Sequence, residues 1–360
     1  MIRPVAHLSS VAAYPLAPLQ PGCQGKSLVS LAQNESACAP SAVVLAAASE
    51  AVSGARLYPD PNWTELRQAI ASVHDVEPDG IVCGAGSMDL IGAIARCFLA
   101  PGSRALTTEY GYYFFRTATH LAGATLDLAP EHGLTVNTQA ILGHLTPETR
   151  VVFLANPANP TGTFIEPAQI VALRDAIPRD ILLVVDEAYS EFAATSETRL
   201  FDLVRRGDTV VLRTFSKAYG LAGLRVGWGL FPQAIGTEVR KLLLPNNISA
   251  PALAAATAAM RDQAGMRAAV AMISRRRDFF ASRMRAAGLQ VPVSHTNFVL
   301  LCFASDEAAV QADATLRASG FALRRLDNYG LLNCLRATVG TEDDMEEVAQ
   351  ILELFLSVSH

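Results

Sequence analysis

Short apolar runs rich in β-branched residues alternate with longer amphipathic segments between about residue 46 and residue 248. The runs that we predict to be strands are GIVCGA, SRALTTE, RVVFLANP, DILLVVDEAY, TVVLRTFS and RVGWGLF. Segments between them, such as SMDLIGAIARCFL and PAQIVALRDAI, have the spacing of helices. Because a run such as ILLVV is apolar throughout, we expect helices on both faces of the sheet. The alternation predicts an α/β fold with an open, mostly parallel sheet that binds ligands beyond the carboxyl ends of its strands.

The pattern changes after residue 248. A long Ala- and Arg-rich stretch, about residues 250–287, is predicted to be helical, and NFVLLCF, FALRRL and NCLRATVG predict strands accompanied by helices. This is typical of a second, smaller α/β domain. The first 45 residues are rich in Pro, Ser and Ala and lack a strong period, so we expect an arm that lies on another surface. We therefore predict an arm with part of the small domain (1–45), a large domain (46–248) and a C-terminal small domain (249–360).

Composition narrows the class of protein. Of the 360 residues, 51% are hydrophobic and 18% are charged, which is typical of a packed globular protein. The net charge of −5 and the lack of a long basic run argue against nucleic acid or an anionic membrane as a partner. The six cysteines form no C-x-x-C pair and indicate reduced thiols in a cytoplasmic protein. We find no signal-peptide pattern, no apolar run of the roughly 20 residues that a spanning helix needs, and no histidine spacing typical of a metal site.

Unusual residues follow four of the predicted strands. A glycine-rich turn at residues 84–87 follows the first strand, and an Asn-Pro-rich turn at residues 156–162 follows the third. The sequence DEAY at residues 186–189 and the pair Ser216-Lys217 follow the next two. In a parallel sheet all four positions lie at the same edge, so we expect one pocket to collect them.

The chemistry of this set matches a phosphorylated aldehyde with a basic ring. A glycine-rich turn that opens a helix offers backbone N–H groups to a phosphate, and Arg225 adds a charge-assisted contact. Asp186 is costly to bury without a cation and suits a protonated ring nitrogen. Tyr189 and Asn159 suit a phenolic oxygen. Lys217 suits an aldehyde, with which a desolvated lysine forms a Schiff base. These are the four handles of pyridoxal 5′-phosphate.

Longer motifs carry a family resemblance. The stretches ANPANPTG, VVDEAYSEF and RTFSKAYGLAGLRVG resemble the fold-type I, class I/II aminotransferases, which depend on pyridoxal phosphate. LYPDPN, PGSRALTTEYGYY and CLRATVGT are similar to the histidinol-phosphate aminotransferase branch, and the similarity runs from about residue 14 to residue 348. The resemblance implies the fold-type I architecture, with a large and a small domain. It also implies transamination of an amino acid or amino-alcohol phosphate with a 2-oxo acid such as 2-oxoglutarate.

The resemblance also carries family roles to matching positions. Lys217 matches the Schiff-base lysine, and Asp186 matches the partner of the pyridine nitrogen. Tyr189 and Asn159 match the partners of the phenolic oxygen. The remaining matches are Gly86, Ser87, Met88, Ser216 and Arg225 for the phosphate, Tyr110 for stacking on the ring, and Arg336, Arg324, Tyr14, Asn34 and Glu35 for the substrate. Tyr58 matches a tyrosine that reaches the cofactor of the neighbouring subunit, which implies a homodimer.

The sequence departs from the family pattern at four positions. Met88 stands where an acidic residue is common, and Ala158 replaces the first asparagine of PNNPTG. Asn246 stands where a substrate-side tyrosine is usual, and TEYGYY replaces PTY, which puts Glu109 beside the ring-stacking position. Because the last two are expected near the substrate, the identity of the amine stays open.

Other functions also stay open. Residues 84–86 begin like a dinucleotide-binding fingerprint, but Asp89 takes the place of the third glycine, and a nicotinamide cofactor leaves Lys217 and Asp186 without a role. The same cofactor apparatus supports decarboxylation of the threonine-phosphate type, a lyase reaction, or transamination of aromatic amino acids. From another class, the chain could be a non-catalytic binding module that kept the fold.

Overall fold

The computed structural model describes residues 2–15, 28–193 and 200–358. Its β-strands are β1 (Val29–Leu31), β2 (Ile81–Gly84), β3 (Arg104–Thr108), β4 (Thr125–Ala129), β5 (Thr149–Ala155), β6 (Leu182–Asp186), β7 (Thr209–Thr214), β8 (Gly227–Leu230), β9 (Phe298–Cys302), β10 (Phe321–Leu326) and β11 (Leu331–Thr338). Its α-helices are α1 (Ala42–Val52), α2 (Thr64–His74), α3 (Ser87–Phe98), α4 (Tyr113–Leu121), α5 (Thr138–Gly143), α6 (Pro167–Ala176), α7 (Phe201–Val204), α8 (Gln233–Arg240), α9 (Ala250–Arg261), α10 (Gln263–Ala286), α11 (Asp306–Ala318) and α12 (Glu342–Val358). The predicted α/β class is confirmed. Within these ranges, no helix is both long and apolar enough to cross a membrane.

The larger sheet has seven strands in the order β2-β8-β7-β6-β5-β3-β4. Strands β3 to β7 pair in parallel, whereas β8 is antiparallel to both β7 and β2. Because β8 is antiparallel to both of its neighbours, β2 runs in the same direction as β7, and therefore as β5 and β6. The carboxyl ends of these four strands therefore lie at one edge, as predicted, and the segment before β8 starts at the same edge.

Burial on both faces explains the apolar central strands. Every residue of β6 is buried between β5 and β7, and the β-branched Val184 and Val185 suit such a pleated, enclosed position. Helix α6, which follows β5, begins at Pro167, whose fixed φ suits the first turn of a helix. The central strands are therefore enclosed and paired on both sides, and the residues at their ends are positioned by these strands.

The smaller sheet has the order β1-β10-β11-β9. Strand β1 comes from the segment predicted to form the arm and pairs in parallel with β10 from the other end of the sequence. The antiparallel pair β10 and β11 places Arg324 directly opposite Arg336. The register of the smaller sheet thus brings together two arginines that are twelve positions apart in the sequence.

The predicted helical stretch of residues 250–287 is helical in the structure and is divided into two helices. Helix α9 ends and α10 begins at Asp262, which has φ −87° and ψ 61°. Its carboxylate accepts a hydrogen bond from the Gly265 N–H at 3.0 Å. Aspartate competes for backbone donors in this way and favours a helix start, which ends the preceding helix.

Candidate active site

A cleft of about 510 Å³ lies at the shared edge of the larger sheet and is lined also by residues of the smaller sheet and of the N-terminal segment. Most of the residues predicted for the site meet there: Tyr14, Asn34, Glu35, Ser87, Met88, Asn159, Asp186, Tyr189, Ser216, Lys217, Arg225, Arg324 and Arg336. The pocket predicted from four strand ends is thus one cavity in the structure.

Lys217 lies just beyond β7, with its amine inside the cleft. Its Nζ donates hydrogen bonds to the backbone carbonyl oxygens of Asn34 at 2.9 Å and Gln33 at 3.3 Å. Burial, helped by the positive charges of Arg336 and Arg225, lowers the pKa of Lys217 to about 7. A large fraction of this amine is therefore neutral at physiological pH, which makes it a nucleophile and a base.

Asp186 ends β6 and is only 4% exposed. One carboxylate oxygen accepts a hydrogen bond from the Ala188 N–H at 3.1 Å. Burial raises the pKa of Asp186 to about 7, against the opposing effect of that hydrogen bond. A cationic N–H placed against this carboxylate would offset the cost of burying its charge.

The start of α3 forms a corner whose geometry suits an anion. Gly86 has φ +88°, and a Cβ atom built on it would lie 2.4 Å from a terminal nitrogen of Arg225. A Cβ atom on Gly227 would lie 2.3 Å from the backbone nitrogen of Ser87. These two glycines therefore let Arg225 and β8 approach the helix start. Arg225 also donates to Ser216 Oγ at 3.3 Å, so its guanidinium and the first N–H groups of α3 converge on the same corner.

The N-terminal segment ties the two sides of the cleft together through Asn34, which is 1% exposed and has φ +56°. The side-chain amide of Asn34 donates to the Tyr189 hydroxyl at 2.8 Å, and its backbone N–H donates to Thr338 Oγ1 at 2.9 Å. Asn297 in turn donates to the Asn34 carbonyl oxygen at 3.0 Å. Burial raises the pKa of Tyr189 above its ordinary value, so its hydroxyl stays protonated. Asn34 is thus bound to β11 of the smaller sheet and to the segment that follows β6 of the larger sheet.

The two opposed arginines, Arg324 and Arg336, also line the cleft. Arg336 donates to Asn159 Oδ1 at 2.6 Å and to the Ala32 carbonyl oxygen at 2.9 Å, whereas Arg324 donates to the Pro15 carbonyl oxygen at 2.6 Å. Burial, together with the positive charge of Arg336, lowers the pKa of Arg324. Among the described residues that line the cleft, the basic side chains are Lys217, Arg225, Arg324 and Arg336 and the acidic ones are Asp186 and Glu35. This imbalance suits a ligand set with two anionic groups.

Three predicted positions do not line this cleft. Tyr110 is half-buried outside it, packed with the cluster around Cys334, whereas Tyr112 and Tyr113 line the cleft. Tyr58 is 89% exposed. Gly86 does not line the cleft either, but shapes it through its close approach to Arg225. Within this run, Tyr112 and Tyr113 rather than Tyr110 are therefore available for stacking on a ring, and Tyr112 lies near Asp186.

Two departures from the family pattern also lie elsewhere. Glu109 is exposed and Asn246 is half-buried, and neither lines the cleft. Sequence reasoning missed Asn328 and Tyr329, which do line it from the turn between β10 and β11. The only signal for them was their place in a short DNYG turn between two strands.

The residues present fit pyridoxal phosphate. The start of α3 with Arg225 and Ser216 suits its phosphate, and buried Asp186 suits its protonated ring nitrogen. The depressed pKa of Lys217 suits its aldehyde. Among the described residues, no cluster of His, Cys, Asp or Glu is arranged to hold a metal ion.

Comparison with known proteins gives the same cofactor chemistry. A family model described as aminotransferase class I and II matches residues 26–352. The chain is 37% identical over 357 residues to the histidinol-phosphate aminotransferase of Hyphomonas neptunium. The matched region covers 98% of this chain and 97% of that protein. The chain is 39% identical over 336 residues to the protein of the same name from Rhodospirillum rubrum, with coverage of 92% and 90%. The solved histidinol-phosphate aminotransferase of Sinorhizobium meliloti, in complex with pyridoxal-5′-phosphate, superimposes with a TM-score of 0.93 at 28% identity, covering 100% of this chain and 99% of that chain.

Proposed function

The chain belongs to the class I and II aminotransferases, and on that premise we propose that it transfers the amino group of histidinol phosphate to a 2-oxo acid such as 2-oxoglutarate, as a step of histidine biosynthesis. Pyridoxal phosphate is its cofactor. The observation that supports the substrate best is the opposed pair of Arg324 and Arg336, a second anion site in a cleft that already provides one for the cofactor. Histidinol phosphate and glutamate both bring an anionic group to such a site.

When bound, the cofactor supplies an electrophilic aldehyde carbon and a ring that takes up the electrons released as the substrate Cα loses a proton. Asp186 keeps the ring nitrogen protonated by placing a carboxylate against it. Lys217 Nζ, which is close to neutral, accepts the Cα proton and later returns one. Arg225, Ser216 and the start of α3 hold the phosphate in place.

The same residues orient the substrate. Tyr189 and Asn159 hold the phenolic oxygen side, and each is bound to a residue of the substrate end: Tyr189 to Asn34, and Asn159 to Arg336. Binding of an anion at Arg336 is thereby linked by one hydrogen bond to the cofactor end. This arrangement favours a fixed alignment of the substrate Cα with Lys217.

We further propose a homodimer in which Tyr58 reaches the cofactor site of the partner. Support comes from exposed apolar side chains on α1 and the loop after it: Val43, Leu45, Val52, Leu57 and Tyr58. Such a group of apolar residues is typical of an interface. Sedimentation analysis should give twice the chain mass, and Tyr58→Phe should weaken cofactor binding without changing that mass. A monomer at micromolar concentration contradicts this proposal.

A cytoplasmic location also remains a prediction. Support comes from the described cysteines Cys38, Cys83, Cys97, Cys302 and Cys334, all of which are free thiols, as expected in a reducing compartment.

The test of the proposed function is a product assay. The purified holoenzyme is incubated with histidinol phosphate and 2-oxoglutarate, and the products are identified by mass spectrometry. We expect glutamate and the keto phosphate in equal amounts. In separate incubations, release of carbon dioxide from threonine phosphate without formation of glutamate would favour a decarboxylase. Transamination of aromatic amino acids but not of histidinol phosphate would favour an aromatic aminotransferase.

A further inference from the structure

The side chain of Asn328 carries a hydrogen-bond donor that nothing in the described chain satisfies. Its amide nitrogen Nδ2 is buried, and no described residue accepts from it. The residue nevertheless lines the cleft, together with Tyr14, Arg324 and Tyr329. Because a buried donor without an acceptor costs roughly 1–3 kcal/mol, an orphan donor in a substrate cleft is a candidate ligand contact.

The turn that carries Asn328 is held on both sides. On one side, Asp327 forms an ion pair with Arg325. On the other side, the Tyr329 hydroxyl accepts a hydrogen bond from the Tyr113 N–H at 3.2 Å, and the two rings pack at 5.8 Å between centroids. The turn that carries the Asn328 amide is therefore held in place before a ligand arrives, which favours a specificity contact.

The neighbouring arginines are already partly engaged. Arg336 uses both terminal nitrogens for Asn159 and Ala32, so that its Nε is left without a partner, and Arg324 uses one nitrogen for Pro15. A carboxylate has two oxygens, which the two arginines can serve. A phosphomonoester has three terminal oxygens, and the third needs another donor.

The chemical structures of the two substrates also favour a contact between Asn328 and the phosphoryl group. In an amino acid the carboxylate carbon is attached directly to Cα. In histidinol phosphate a methylene and an ester oxygen separate the phosphorus from Cα, so the phosphoryl group extends two atoms further. A further donor in the cleft, such as Asn328 on the turn that joins β10 to β11, therefore suits the phosphoryl group better than the carboxylate.

We propose that Asn328 determines specificity for the phosphorylated amine, by donating a hydrogen bond from Nδ2 to a phosphoryl oxygen that the two arginines do not serve. The inference rests on the proposed function, since it takes histidinol phosphate as the amine. The carboxylate of glutamate, which occupies the same site in the other half-reaction, does not reach Asn328.

The test compares both half-reactions in the holoenzyme. For Asn328→Ala we expect kcat/KM for histidinol phosphate to fall about tenfold, mainly through KM, while kcat/KM for glutamate stays close to wild type. Asn328→Asp keeps the shape but adds a negative charge, and should lower kcat/KM for histidinol phosphate further. Asn333→Ala is the matched control, because its amide lies on β11, bonds to the Phe303 carbonyl oxygen and is outside the cleft.

Binding without turnover separates this inference from the proposed function. Propyl phosphate and butanoate carry the distal anion but lack the amine, and their dissociation constants for the holoenzyme are measured by calorimetry. We expect Asn328→Ala to weaken the binding of propyl phosphate about tenfold and to leave the binding of butanoate unchanged. If wild type does not transaminate histidinol phosphate but this difference persists, the proposed function fails and the role of Asn328 stands. An equal loss of affinity for propyl phosphate and butanoate, or no loss of affinity for propyl phosphate, overturns the role of Asn328.

Discussion

The two halves of the cleft are built in different ways. The cofactor half consists of residues at the ends of neighbouring strands in the larger sheet, namely Ser87, Asp186, Lys217 and Arg225. The substrate half consists of residues drawn from the N-terminal segment and the smaller sheet, namely Asn34, Arg324, Asn328 and Arg336. In the proposed function, Asp186 and Lys217 of the first half take part in the chemistry, whereas Arg324, Asn328 and Arg336 of the second half recognise the substrate anion. We therefore expect substitutions in the cofactor half to lower kcat, and those in the substrate half to raise KM or to lower stability.

The largest effect is expected for Lys217→Ala. Because the variant lacks both the amine that meets the aldehyde and the base for the Cα proton, kcat should fall about 10⁴-fold. Steady-state kinetics with histidinol phosphate measures this. Lys241→Ala is the control, since Lys241 is exposed and ion-paired with Glu238. A Lys217→Ala enzyme with near-normal kcat would place the chemistry elsewhere.

The next effect concerns the pKa of Lys217 in the cofactor-free protein. Its lowered pKa, about 7, leaves much of the amine neutral at pH 7, whereas an ordinary lysine with a pKa of about 10.4 is almost fully protonated. Lys217 should react with an amine-selective reagent faster than Lys241 by on the order of 10²-fold, and its rate should rise with pH and level off above about pH 7. Peptide mass spectrometry resolves the two sites. Equal rates at pH 7 would contradict the buried environment of Lys217.

In the substrate half, Arg336→Ala should mainly change binding. In the proposed function this buried guanidinium binds the substrate anion, so its loss should raise KM for glutamate about 10²-fold, with a smaller change in kcat. Arg317→Ala is the matched control, because Arg317 is paired with Asp313 on α11 and lies outside the cleft. A lower kcat without a change in KM would contradict this role and would indicate that Arg336 belongs to the cofactor half.

The smallest effect is expected at Asn34, where the two halves meet. Asn34→Gly removes the side-chain bond to Tyr189 but tolerates the positive φ, so it should lower the free energy of unfolding by about 1–2 kcal/mol. Asn34→Ala adds backbone strain and should cost roughly 1 kcal/mol more. Urea denaturation compares the two variants. Equal stability would mean that the left-handed backbone at Asn34 stores no strain.

The same contrast explains how much the sequence could predict. Residues such as Lys217 and Asp186 directly follow apolar strands, so the rule for parallel sheets places them at one edge without further information. That prediction is confirmed for the sheet edge, although the antiparallel β8 between β2 and β7 was not expected. The roles of neighbouring aromatic residues are harder to predict, because a sequence such as TEYGYYFF does not specify which ring faces the cleft. In the structure Tyr112 lines the cleft and Tyr110 does not.

The substrate half could be predicted only by resemblance. The position of Arg324 depends on its register against Arg336 across two strands, which no local pattern encodes. Asn328 carries no motif at all, because its role depends on a turn fixed by contacts with Arg325 and with a distant helix start. Side chains assembled by tertiary register are thus the part of this site that single-sequence reasoning misses.

The most direct test of the account is to locate the covalent attachment of the cofactor. The holoenzyme is reduced with borohydride, digested and mapped by mass spectrometry. The sequence contains the lysines Lys26, Lys217 and Lys241, so the result is unambiguous. We predict that the reduced pyridoxyl group is attached to Lys217 alone. Attachment at Lys241 or Lys26, or no attachment in an active holoenzyme, would contradict the account.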